Sequence, residues 1–165
     1  LDLKIFLSPD ETLRTMWKVE RDTTERGSTP ESVLRQLTER NADSEKYIRE
    51  QKKNADVVLS INQDGSRRIL DIQSDSSINI DPFIYLLKNK TALEVFHEHT
   101  ADGQHVVVEG GIPSALVDDL AYELVPEIWE INRREIQWED GLNGVIQLFL
   151  AYVVFYKAKA DYENR

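Results

Sequence analysis

Arg14, Lys18 and Arg21 stand at i, i+4 and i+7, a spacing that on a helix lines three cations along one face, and Arg26 follows just ahead of Gly27. Arginine presents a planar fork matched to phosphate oxygens, and lysine a mobile point charge. Together they suit a group that stabilises negative charge on a transferring phosphoryl. The same spacing fits a solvated helix face tied by ion pairs, Lys18 to Asp22, Asp22 to Arg26 and Arg21 to Glu25. On charge pattern alone, that plainer reading is the better one.

Three further groups could do chemistry. His97, Glu98, His99 and His105 invite a metal reading, since His97 and His99 fall on the same side of a strand. Such a site needs a third convergent ligand with outer support, so histidines on the surface of a hairpin, and no metal, are the expectation. Gly110-Gly111 could approach a phosphate but is followed by Pro113 and lacks the spaced glycines of a dinucleotide loop, which makes it a turn. Phe149, Tyr152, Phe155 and Tyr156 form an aromatic stripe that suits a core or a subunit contact better than a base-stacking platform, and a homodimer through this half is expected from it.

The charge balance bounds the partners. With a net charge of -10, the chain is no general nucleic-acid binder, so any anion it holds must be gripped locally. At 165 residues and 41% hydrophobic it can bury a sizeable core. It has no cysteine, which removes disulfides and thiolate metal sites and suits a reducing, cytoplasmic setting. The apolar run Leu142 to Tyr156 is interrupted by Asn143, Gly144 and Gln147 and is shorter than the roughly 20 residues of a membrane span, so it reads as a buried helix. The opening residues are already strand-like, and the chain reads as beginning in mid-fold.

The elements that must position these groups follow from periodicity and punctuation. Leu1, Leu3, Ile5 and Leu7 alternate with Asp2, Lys4 and Phe6, predicting a strand with the leucines and Ile5 on its apolar face. Ser8-Pro9-Asp10-Glu11 predicts a helix capped by Ser8, with Leu13, Met16 and Trp17 inward, ending at Gly27. Thr29-Pro30 starts a second helix with Val33, Leu34 and Leu37 inward, bending or restarting between Asn41 and Ser44. Asp56 to Ile61 predicts a buried strand, with a boundary near Gly65. Strands are predicted at Arg68 to Gln73, Ala92 to His97 and His105 to Glu109, the last two joined by an Asp102-Gly103 hairpin. A helix through Leu116, Leu120 and Leu124 is broken by Pro126, and a final helix runs from Leu142 to about Lys159.

Read in order, Trp17-Lys-Val-Glu-Arg-Asp-Thr-Thr-Glu-Arg-Gly27 resembles the lid of the phosphoribulokinase and uridine kinase family, a basic helix ending in Arg-Asp-x-x-Glu-Arg-Gly. Pro30-Glu31-Ser32-Val33, Asp43, Tyr47-Ile48, Gln51 and Ala55-Asp56-Val57-Val58 also stand where phosphoribulokinases have similar residues. Uridine kinases share the Arg-Asp-x-x-Glu-Arg-Gly and Ala-Asp elements, but favour a second arginine near Trp17 and Lys18 and stop soon after the Ala-Asp strand. Asp140-Gly141-Leu-Asn-Gly-Val-Ile-Gln147 resembles the glycine-rich lead and glutamine of the C-terminal phosphoribulokinase helix. Phosphoribulokinase is thus the nearer relative, strongly over residues 1–61, faintly over 62–140 and moderately from there to the end.

The resemblance implies roles residue by residue. Lys18 and Arg21 match lid residues that approach the transferring phosphate and the sugar phosphate, Arg26 matches a substrate-binding arginine, and Arg14 joins it as substrate-binding. Arg40 falls near a basic position tied to effector response, where the local match is poor. The resemblance also implies an α/β fold, with a partial P-loop kinase core of strand and lid helices over 1–62 and a mixed-sheet and helix extension over 63–165. The parent protein would use ATP and Mg²⁺ to phosphorylate a sugar hydroxyl, as on ribulose 5-phosphate or a related pentose phosphate, or alternatively a nucleoside.

No Gly-x-x-x-x-Gly-Lys-[Ser/Thr] string occurs among the glycines at 27, 65, 103, 110, 111, 141 and 144. The family's base and metal-ligand aspartates precede the lid, so their matching positions lie before Leu1. The partner implied is an N-terminal phosphate-loop half, and the chain alone is expected to be inactive. The rival reading is a non-catalytic interaction module derived from the same family.

Overall fold

The computed structural model describes residues 3–43, 49–64, 67–131 and 136–163. It is a mixed α/β structure built on one five-stranded sheet. The strands are β1 (Ile5–Pro9), β2 (Val57–Asp64), β3 (Arg67–Ser74), β4 (Glu94–Thr100) and β5 (Gly103–Glu109), in the spatial order β1-β2-β3-β5-β4. β1 and β2 are parallel, and every other neighbouring pair is antiparallel. A parallel pair needs a crossover, which is supplied by α1 (Glu11–Thr24), α2 (Pro30–Asp43) and α3 (Arg49–Lys52). The remaining helices are α4 (Asp81–Lys90), α5 (Ser114–Leu124), α6 (Ile128–Ile131) and α7 (Leu142–Glu163).

Two expectations about the first elements are corrected. Ser8 and Pro9 belong to β1, and the cap of α1 is Asp10, whose carboxylate accepts from the Leu13 N–H at 2.8 Å. Glu11 pairs with Arg14 at 3.0 Å instead of reaching back to a serine cap. In β1, Ile5 and Leu7 are 38% and 54% exposed while Phe6 is half-buried. The register aligns Ile5 with Val57 and Leu7 with Leu59, so their side chains share the face that is buried further along the sheet, yet both are exposed at this edge. Leu1 and Asp2 lie outside the described residues, as do Ser44 at the expected bend of the second helix, Tyr47 and Gly65. The Arg40 side chain lies outside them too.

The core lies on one face of the sheet. Val57, Leu59, Ile61, Leu70, Ile72, Val106 and Val108 all point to it, and α4, α5 and α7 supply Phe83, Leu87, Val117, Leu120, Val145, Leu148, Phe149 and Val153 against them. Phe83 meets Phe149 edge-on at 5.1 Å and stacks with Tyr152 at 6.5 Å. The aromatic stripe of α7 is therefore core, with Phe149 and Tyr152 buried. Burial pushes the Tyr152 hydroxyl up to about 12, and it donates to the Asn79 carbonyl at 2.5 Å. Among the described residues, no helix is long and apolar enough to cross a membrane.

α4 was not expected from the sequence, although Pro82 at its start and Phe83, Ile84, Leu86 and Leu87 behind it have helical spacing. The glycine-rich lead into α7 has a packing reason. A Cβ on Gly144 would come within 2.3 Å of the Glu139 carbonyl and 2.7 Å of Val117 Cγ2, and one on Gly111 would meet Gly141 Cα at 2.6 Å. Asp140 Oδ1 accepts from the Ser114 N–H, at the start of α5, at 2.7 Å, and Gln147 Oε1 accepts from the Glu139 N–H at 2.7 Å. Gly110-Gly111 is thus a turn joined to this lead, as expected, where the Gly141 N–H donates to the Ile112 carbonyl at 2.7 Å.

Candidate functional site

The basic residues sit on α1 and just beyond its end. α1 is amphipathic only in part: Leu13 is its one buried apolar side chain, Met16 and Trp17 are 53% and 36% exposed, and the other buried residue is Asp22. Its end is set by Gly27, whose φ of +65° turns the chain so that the Ser28 N–H donates to the Asp22 carbonyl at 2.9 Å. α2 then begins at Pro30, with Thr29 Oγ1 accepting from the Ser32 N–H at 3.3 Å, and packs back along α1.

Asp22 organises the cations. Its Oδ1 accepts from Arg21 Nε at 3.0 Å, and it lies 3.0 Å from Arg21 Nη2 and 3.2 Å from Arg26 Nη1. The Arg21 hydrogen bond, reinforced by the charges of Arg21, Arg26 and Lys18, holds this carboxyl below its ordinary range against the opposing effect of burial. The carboxylate is therefore ionised throughout the neutral range. It fixes two guanidinium groups around one point while leaving both side chains about half exposed, at 48% for Arg21 and 61% for Arg26. Lys18 stands one turn back from Asp22 and adds its field, and among the described residues it makes no ion pair within the salt-bridge range. Arg14 is directed to Glu11 in the first turn, away from this cluster.

The structure thus brings Arg21 and Arg26 together, keeps Lys18 beside them and sets Arg14 apart. The anticipated Asp22–Arg26 pair forms, whereas Arg21 turns to Asp22 in place of Glu25. Asp22 was visible in the sequence only as a neutralising partner. Its burial beneath the α1 end, which makes it the scaffold of the cluster, depends on packing that no spacing rule contains.

Among the described residues, no glycine-rich turn leads from a strand into a helix in the way that cradles a nucleotide's phosphates. The β1-to-α1 connection is the single residue Asp10, and α1 opens with the acid Glu11, which disfavours an anion there. The positive-φ glycines 27, 103, 110 and 141 all serve turns elsewhere. What the arrangement can do is present a cluster of forked and point cations, held by a buried acid, to an anionic group bound mainly by other residues.

The basic helix thus follows one strand and returns through further helices to a parallel neighbour. Residues 1–66 match the model of the Phosphoribulokinase / Uridine kinase family. The chain is 38% identical over 61 residues to the chloroplastic phosphoribulokinase of Chlamydomonas reinhardtii, covering 37% of this chain and 16% of that protein. The phosphoribulokinase of Synechocystis sp. is equally similar, 38% over 61 residues, covering 37% of this chain and 18% of the relative. The uridine kinase of Staphylococcus epidermidis is 38% identical over 70 residues, 42% of this chain and 33% of that enzyme. The matched stretch therefore spans a third or less of the length of these relatives. It contains β1, the basic helix, α2 and β2.

Proposed function

We propose that this chain is the lid-bearing and C-terminal part of an ATP-dependent kinase that phosphorylates a sugar hydroxyl, most simply that of ribulose 5-phosphate or a related pentose phosphate. The observation that carries this reading is the Asp22-centred cluster of Arg21 and Arg26 inside the stretch similar to phosphoribulokinases. In this reading Lys18 and Arg21 approach the transferring phosphoryl, and Arg26 grips the acceptor, with Arg14 its more distant support. ATP and Mg²⁺ belong to an N-terminal phosphate-loop half. Ile5 and Leu7, uncovered at the sheet edge, support a partner segment lying beside β1. Residues 1–62 then act as the lid portion and 63–165 as the extension, and the chain by itself is inactive because no Gly-x-x-x-x-Gly-Lys string occurs in it to cradle the nucleotide.

A second reading, a nucleoside kinase, is favoured by the uridine kinase match, which at 70 residues runs a little further along the chain. The complete protein, including the phosphate-loop half, is assayed for ADP release with ribulose 5-phosphate and with uridine. Preference for the sugar phosphate supports the first reading and preference for uridine the second. Failure with both overturns them in favour of an interaction module. In the active protein, Arg21→Ala should lower turnover by about 10²–10³-fold, the scale of losing one preorganised charge donor, with thermal unfolding unchanged. Unaltered kinetics in that variant would remove Arg21 from the catalytic set.

A further inference from the structure

The third ligand that the histidine motif lacked in sequence is supplied by α4. His97 and His99 project from β4 on the helix-covered face of the sheet, since His97 is in register with the buried Val106 and His99 with the buried Gln104. Asp81 begins α4, which packs against β4. One ligand atom from each of Asp81, His97 and His99 lies within 4.8 Å of the other two, and the two imidazoles are 4.8 Å apart, centre to centre.

Among the described residues, the buried His97 Nε2 has no hydrogen-bond partner, an arrangement with a cost unless something else satisfies the lone pair or proton. Gln104 is buried beside the ring, with its own Nε2 committed to the Ile78 carbonyl at 2.8 Å. The charged groups acting on His97 are His99, Asp81 and Lys88.

We propose that Asp81, His97 and His99 form a binding site for a first-row divalent transition ion of the Zn²⁺, Co²⁺ or Ni²⁺ class. Two imidazoles and one carboxylate match the donor preferences of these ions and not those of Mg²⁺, which takes oxygen ligands in a near-ideal octahedron. Tetrahedral ligands at about 2.0–2.1 Å from a metal stand roughly 3.3 Å from each other. Closing the triangle needs a shift of the order of an ångström, which the exposed Asp81 and His99 side chains can make without disturbing the core. Three protein ligands leave a position for water or another donor. Nothing in this inference depends on the kinase reading.

The test is calorimetric titration of the tag-free, chelator-treated chain with Zn²⁺ near neutral pH, alongside Co²⁺ absorption in the visible range. The expected result is saturable binding of about one ion per chain, with a dissociation constant on the order of micromolar and Co²⁺ bands of nitrogen and oxygen ligation. His99→Ala and Asp81→Asn, both at exposed positions, should each weaken binding about tenfold or more with unchanged circular dichroism. His105→Ala, on the opposite face of the hairpin, should leave it intact. Absence of saturable binding overturns the proposal, and so does binding that survives His99→Ala or is abolished by His105→Ala.

Discussion

Helix α1 buries one apolar side chain, Leu13, in 14 residues, whereas α4 buries Phe83, Ile84, Leu86 and Leu87 in 10. The two helices are held by different physics. α4 and its neighbours α5 and α7 are held by continuous apolar contact with the sheet, a term proportional to area that demands close fit. Among the described residues, the α1–α2 pair joins that cluster only through Leu13, and its other buried residues are Val33, outside the continuous cluster, and the ion-paired Asp22. Partly exposed ion pairs contribute little to stability, so the pair is the more easily opened of the two regions.

The largest expected effect tests the tightly packed side of this contrast. Phe83→Ala removes a fully buried ring that touches Phe149 and Tyr152, and should cost about 3–5 kcal/mol in chemical denaturation. A loss under about 1 kcal/mol would mean that the α4–α7 layer does not dominate stability. Next comes Val33→Ala under α1–α2, which should cost about 1.5 kcal/mol by lost burial. Its signature sharpens the contrast: amide hydrogen exchange should accelerate in α1 and α2 with little change in α4 and α7. Equal acceleration everywhere would show that the two regions open as one unit.

The smallest effect concerns the opposite face of the sheet. His105 Nε2 is 2.8 Å from Asp71 and its Nδ1 3.1 Å from Glu98, tying β3, β5 and β4 together. The Asp71 hydrogen bond raises the His105 pKa against burial, with Glu98 reinforcing it. A raised folded-state value means the bridge contributes fully below the unfolded pKa of about 6.5 and fades as pH rises through the folded value. Relative to His105→Gln, the native protein should therefore lose about 0.5–1 kcal/mol of its advantage between acidic and alkaline buffer. A difference independent of pH would show that the imidazole is not charged in the bridge. The hairpin would keep its fold either way, because Val106 and Val108 are fully buried.

Much of this architecture was legible because it is local. Asp102-Gly103 marks the β4–β5 turn, where Gly103 has φ +145° and a Cβ would meet the Ser74 carbonyl at 2.2 Å. Thr29-Pro30 and Gly27 mark one helix start and one helix end, as their backbone preferences require. Ser-Pro-Asp-Glu holds two residues able to cap, and the pairing of β1 with β2 extends the strand through Pro9, so the cap falls to Asp10 and not to Ser8. The apolar face of β1 was placed correctly by register, but its exposure could not be anticipated, since alternation says which side chains share a face and not what covers it.

What the sequence by itself determined is the presence and order of the lid-like string: Lys18, Arg21, Arg26 and Gly27 at spacings set by the helix, in a chain with no phosphate-binding loop. Tertiary structure alone decided how those charges are used. Asp22 becomes the hub because packing buries it where two arginines converge, and Asp81 meets His97 and His99 only because α4 lies across β4. Helical and strand periodicities fix which residues share a face of one element, while meetings between elements depend on how the whole core closes.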